Sequence, residues 1–114
     1  MTQGLIANGL VAFVKRACPT CSLIVPQMQE ASRVRNDFQV VTQDDVEFPP
    51  GVTNLIDDRE LDHSYVNEIE ATPTLIRYAG GHEVERVMGW DRSAWQRLTG
   101  IATLGSALPP LVPG

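Results

Sequence analysis

At 114 residues the chain has room for one modest hydrophobic core, and its net charge of −5 offers no basic face of the kind nucleic acid requires. No apolar run approaches the length of a membrane span, and the opening Met1-Thr2-Gln3-Gly4-Leu5 lacks the basic patch and apolar stretch of an export signal, so a soluble, cytoplasmic protein is expected. In that reducing setting the only two cysteines, Cys18 and Cys21, point to redox chemistry or metal binding rather than to a structural staple.

Residues 1–9 hold two glycines and an asparagine and read as a short turn or helix leading in. Leu10–Lys15 is apolar on both alternating faces, the pattern of a buried central strand. Cys18 then stands at a helix N-cap with Pro19 at the first helical position, where a missing N–H costs nothing, and Ile24, Met28 and Ala31 give the helix an apolar stripe. Pro26 interrupts that pattern, so a bent helix ending near Asn36 is expected.

Phe38–Thr42 reads as a short strand, residues 43–51 as a loop by their Asp, Pro and Gly content, and Val52–Ile56 as a second short strand. Asp57 or Asp58 can cap a helix with Leu61, Tyr65 and Ile69 on one face, ending near Glu68, with Tyr65 and Tyr78 as packing residues. Thr74–Tyr78 and Glu83–Met88 flank a Gly80-Gly81 pair, a strong hairpin signal. Asp91 can cap a last helix burying Ala94, Trp95, Leu98 and Ile101. Residues 1–103 thus form the domain, and the Pro/Gly-rich stretch 104–114 reads as an extended tail or linker stub.

A strand, then Cys18-Pro19-Thr20-Cys21, then a helix with Pro26 five positions past the second cysteine, then Ala71-Thr72-Pro73-Thr74 opening a hairpin: this order resembles the thioredoxin superfamily over roughly residues 10–100. The resemblance implies an α/β fold of three layers, a central mixed sheet flanked by helices. It also implies that Pro73 is cis against the cysteine pair, that Thr72 binds the substrate backbone, and that Gly89, Pro19 and Thr20 share the substrate-facing surface. Two positions depart from the family pattern: Ala17 stands where thioredoxins carry tryptophan, and Ala12 falls near the place of their buried acid. The family spacing also assigns the next strand to Phe38–Gln43 when counted from Cys21 and to Val52–Asp58 when counted back from Pro73, so one run is an inserted edge strand.

The implied activity is thiol–disulfide exchange with no cofactor and no bound metal. Cys18, at a helix N-terminus where backbone N–H groups stabilise a thiolate, is the expected nucleophile, with Lys15 and Arg16 available to add positive potential. Cys21, one turn on, is the resolving thiol. The expected partners are a protein disulfide or dithiol and an electron donor, met by a monomer. Two other readings stand beside it: a non-catalytic thioredoxin-like binding module within a larger redox assembly, and a metal site completed by His63 and His82. Trp90 belongs either to the surface near Gly89 or to the core. The acid-rich stretch 44–70 reads most simply as a solvated face.

Overall fold

The computed structural model describes residues 4–114, so the part of the lead-in formed by Met1–Gln3 lies outside the described residues. Residues 4–8 form no helix; they run as bends into strand β1, Gly9–Val14. The sheet has five strands in the order β3-β2-β1-β4-β5, where β2 is Phe38–Thr42, β3 Leu55–Asp57, β4 Thr74–Ala79 and β5 His82–Met88. β1 runs parallel to β2 and antiparallel to β4, which makes the sheet mixed.

Two-residue alternation along the central strands divides the core into two layers. Leu10, Ala12, Val14, Phe38, Val40 and Leu75 face the side covered by the cysteine helix and the last helix. Val11, Phe13, Val41, Ile56, Ile76 and Tyr78 face the other side, beneath Leu5, Ile6 and Ile69. β1 is central and buried on both faces, as its unbroken apolar run requires. Because β2 pairs with β1 and β3 only with β2, the inserted strand is the edge strand at 55–57, three residues later than the Val52–Ile56 reading.

The cysteine helix is two segments, α1 (Pro19–Leu23) and α2 (Val25–Val34), meeting at Ile24. The break falls two residues before Pro26, whose ring clashes with a carbonyl four residues back and whose nitrogen cannot donate to it. α2 stops at Val34 because Arg35 is extended and in use elsewhere. Its guanidinium grips both Asp37 oxygens at 2.7 Å and donates to the carbonyls of Leu98 and Thr99 at 3.2 and 3.0 Å. Those carbonyls end the last helix, α4 (Arg92–Thr99), where a cation is favoured.

Neither Asp57 nor Asp58 is the N-cap of the short helix α3 (Asp62–Val66), which is Leu61 in the left-handed region, but Asp58 satisfies the first-turn donors from four residues before the helix. Its carboxylate accepts the N–H groups of His63 and Ser64 at 2.9 and 3.0 Å and the Ser64 hydroxyl at 2.6 Å. Asp57 instead pairs with Arg59. α3 stops two residues short of Glu68, and its brevity changes the burial expected of it. Tyr65 is 85% exposed and packs on nothing in the core. Tyr78 is buried, and its hydroxyl donates to the Asn67 side-chain oxygen at 2.7 Å.

The β4–β5 turn is the pair Gly80-Gly81, both at positive φ as a two-residue hairpin turn demands, with His82 already in β5. Asp91 caps α4 by accepting from the Ala94 N–H at 3.2 Å, as its position predicts. Trp95 on α4 packs against Trp90 with ring centroids 5.4 Å apart and the ring planes tilted by 44°, and both are fully buried.

The stretch 104–114 does not leave the fold. Leu104 is buried, and Leu108 and Val112, each four residues on, pack against the same core layer. The Pro109 carbonyl accepts from Trp90 Nε1 at 3.0 Å, the Pro110 carbonyl accepts from the Arg92 N–H at 2.9 Å, and strand β7 (Leu111–Val112) pairs antiparallel with β6 (Trp90–Asp91). Residues 102–107 form consecutive turns, and Pro109 and Pro110 bar helix beyond them, so the chain runs extended only at its last residues.

Candidate active site

The end of β1, the N-terminus of α1, the loop before β4 and the glycine after β5 converge on one point. β1 delivers the chain to Cys18, whose side chain caps α1: its Sγ accepts the Cys21 backbone N–H at 3.3 Å. Cys18 Sγ in turn donates to the Thr72 carbonyl at 3.2 Å, across 54 residues of sequence. The Thr72–Pro73 peptide bond is cis. The Pro73 carbonyl accepts the Gly89 N–H at 2.7 Å, and the Gly89 carbonyl accepts Trp95 Nε1 at 3.2 Å, so α4 braces the loop from behind.

Both cysteines are free thiols, and their surroundings drive their acidities apart. Burial opposes the Cys18 thiolate, but hydrogen bonds from the Cys21 thiol and N–H, from Thr72 and from the Thr20 backbone outweigh it and hold its pKa below the ordinary thiol value. Burial, aided by the hydrogen bond to Cys18, pushes Cys21 up to about 12. One sulfur is thus prepared to ionise and the other to keep its proton.

No family model matches the sequence, and no curated protein matches it. Solved structures do match in shape. Plasmodium falciparum thioredoxin superposes with a TM-score of 0.60 at 21% identity, covering 82% of this chain and 80% of its own. Mitochondrial thioredoxin 3 from Saccharomyces cerevisiae gives 0.58 at 18% identity, over 86% of this chain and 79% of its own. The chain has the thioredoxin fold. A secreted Mycobacterium tuberculosis disulfide oxidoreductase is also similar, at a TM-score of 0.58 and 14% identity over 73% of this chain and 70% of its own.

On this thioredoxin fold the residues singled out for disulfide exchange, Cys18, Pro19, Thr20, Cys21, Thr72, Pro73 and Gly89, lie together. Thr20 and Thr72 are buried on either side of Cys18, Pro19 is exposed between the cysteines, and Gly89 lies behind Pro73 at φ +75°. Three features of the site differ from expectation. Cys18 is only 5% exposed, not open at a helix tip. Arg16 lends it no charge, because its guanidinium pairs with Asp45 at 2.6 Å while its backbone N–H and that of Ala17 donate to Asp44. The inserted acidic loop is therefore partly an anchor for the approach to Cys18 and not only a solvated face. Of the two places left open for Trp90 the structure takes the core, sealed by Pro109 and by Gly105 beneath its ring.

His63 and His82 are not brought to the pair: His63 is on α3, and His82 pairs with Ala79 at the end of β4 remote from Pro73. No helix among the described residues is long and apolar enough to cross a membrane.

The opposed acidities predict a pH signature for the reduced protein. Between the Cys18 value and the free-thiol value of about 8.5, the folded form has released a proton that the unfolded chain still binds, so stability rises with pH. Above it, the unfolded chain gives up the Cys21 proton that the folded form keeps to about 12, so stability falls. Urea denaturation across pH should show the difference between wild type and a Cys18→Ser/Cys21→Ser double variant peaking near about pH 8.5. A difference that is flat with pH contradicts the split.

Proposed function

We propose that this chain is a thiol–disulfide oxidoreductase acting on protein disulfides, with Cys18 as nucleophile and Cys21 as resolving thiol. The observation that carries the reading is the Cys18 sulfur at the α1 N-cap, hydrogen-bonded by the Cys21 N–H and set against the Thr72 carbonyl. A thiolate so placed attacks one sulfur of a partner disulfide, forms the mixed disulfide and expels the partner's other sulfur, which takes up a proton. Cys21 then loses its proton and attacks Cys18 Sγ. The Cys18–Cys21 disulfide closes, the second partner thiol leaves, and the partner has gained two electrons and two protons. An external dithiol donor restores the pair by the same steps in reverse.

Protein substrates suit the loop at Thr72 and Pro73, which offers backbone groups beside the reacting sulfur. A cytoplasmic monomer working with a reducing donor is part of the proposal, and needs no metal or organic cofactor. Its test is whether dithiothreitol buffers open and close the Cys18–Cys21 bond in step with reduction of a model disulfide. A binding module without redox chemistry would give no closure.

A further inference from the structure

The last residues of the chain lie across Thr20, Thr72 and Gly89, the surface that the oxidoreductase reading gives to a partner. Up to Pro110 the segment is tied to the β6–α4 junction through the Pro109 and Pro110 carbonyls. Beyond it, three contacts carry the chain over the site. The Val112 carbonyl lies over Gly89, where a Cβ would stand only 2.9 Å from it. The Pro113 carbonyl accepts from the Thr20 hydroxyl at 2.6 Å. Gly114 is pressed onto the Thr72 carbonyl so closely that a Cβ there would overlap its oxygen.

Thr20, Thr72 and Gly89 come from three separate elements, and the Thr72 carbonyl is also the group against which Cys18 Sγ rests. The segment therefore bridges the two flanks of the sulfur, and Cys18 is left 5% exposed although neighbouring Pro19 is open to solvent. Disulfide exchange requires access to the attacking sulfur, so the buried Cys18 must be uncovered before the exchange proposed above can begin.

We propose that residues 111–114 are an autoinhibitory strap, which an incoming protein segment displaces before Cys18 can react. The proposal rests on the oxidoreductase reading for the surface's purpose and on contacts alone for its cover. The strap is built to lift. Its Leu111 side chain is 68% exposed, and its hold beyond Pro110 is a two-residue ladder, the half-buried Val112 side chain against the core, one side-chain hydrogen bond and close backbone contact. Individual hydrogen bonds contribute little net free energy, so the open form is within reach, and reactivity scales with the open fraction.

The experiment measures iodoacetamide alkylation of Cys18 in the reduced, folded protein, with labelling of fully buried Cys21 as the gauge of unfolding. A chain ending at Pro110, and a Gly114→Val variant whose side chain would collide with the Thr72 carbonyl, should each label Cys18 about tenfold faster than the parent. Added peptide Leu-Val-Pro-Gly should slow the shortened chain again. If the shortened chain unfolds, its Cys21 labels too, and Gly114→Val decides. Equal Cys18 rates in parent and variant, with Cys21 protected, overturn the strap. Insulin disulfide reduction on the same samples separates the two claims. Faster labelling without disulfide reduction supports the strap and defeats the oxidoreductase reading; reduction at an unchanged rate with unchanged labelling defeats the strap alone.

Discussion

A Cys21→Ser variant should accumulate mixed disulfides with protein substrates through Cys18, while Cys18→Ser should accumulate none and lose at least about 10³-fold in disulfide reduction. The asymmetry follows from geometry. In Cys21→Ser the backbone N–H at position 21 still reaches Cys18 Sγ, as it does at 3.3 Å in the parent, so the nucleophile keeps a stabilising donor but nothing releases the partner. In Cys18→Ser the remaining thiol is fully buried, and burial, the largest cause that disfavours its thiolate, persists without Cys18, so it cannot substitute. Non-reducing electrophoresis and mass mapping of the trapped sulfur check this. Trapping by Cys18→Ser through Cys21 would reverse the assignment of roles.

The largest stability loss is expected at Trp95. Its indole is fully buried against Trp90, and its Nε1 donates to the Gly89 carbonyl at 3.2 Å. Trp95→Ala should cost about 3–5 kcal/mol, because the cavity adds to the lost transfer energy. Domains of this kind are stable by only about 5–15 kcal/mol, so a large part of the folded margin goes with it. Trp95→Phe keeps most of the volume and loses the hydrogen bond, leaving the Gly89 carbonyl unpaired at a cost of about 1–3 kcal/mol. Urea denaturation measures both. A loss under about 1 kcal/mol for the alanine variant would mean that the Trp90–Trp95 pair does not hold the core. Because Gly89 also donates to Pro73, the phenylalanine variant tests in addition how firmly the loop beside Cys18 is braced.

Local signals carried most of the architecture. The unbroken apolar run in β1, the Cys18-Pro19 helix start, Gly80-Gly81 and the Asp91 cap each have a nearby physical cause, and each element formed where that cause stands. The site candidates Cys18, Cys21, Thr72, Pro73 and Gly89 came from the order of motifs, and β1, α1 and β4 bring them together. What escaped was non-local. The charge on Arg16 was readable, but its partner Asp45 lies across an inserted loop. Asp58 satisfies the first-turn donors of α3 from four residues before its first helical residue, and the brevity of that helix leaves Tyr65 in solvent. The return of residues 104–114 was the hardest to see, because proline and glycine mark both a linker and a turn-rich segment that packs back onto the core. The four-residue spacing of Leu104, Leu108 and Val112 was the one signal that separated the two.

The most direct measurement is a redox titration of the purified chain in dithiothreitol buffers, reading free thiols and mass at each poise. The account predicts one two-electron transition in which the protein loses two hydrogens, a single bond joins Cys18 to Cys21, and reduction of insulin by the protein appears and disappears with the same midpoint. Two thiols that stay free under every oxidising buffer, or a closed bond with no transfer to insulin, would contradict it.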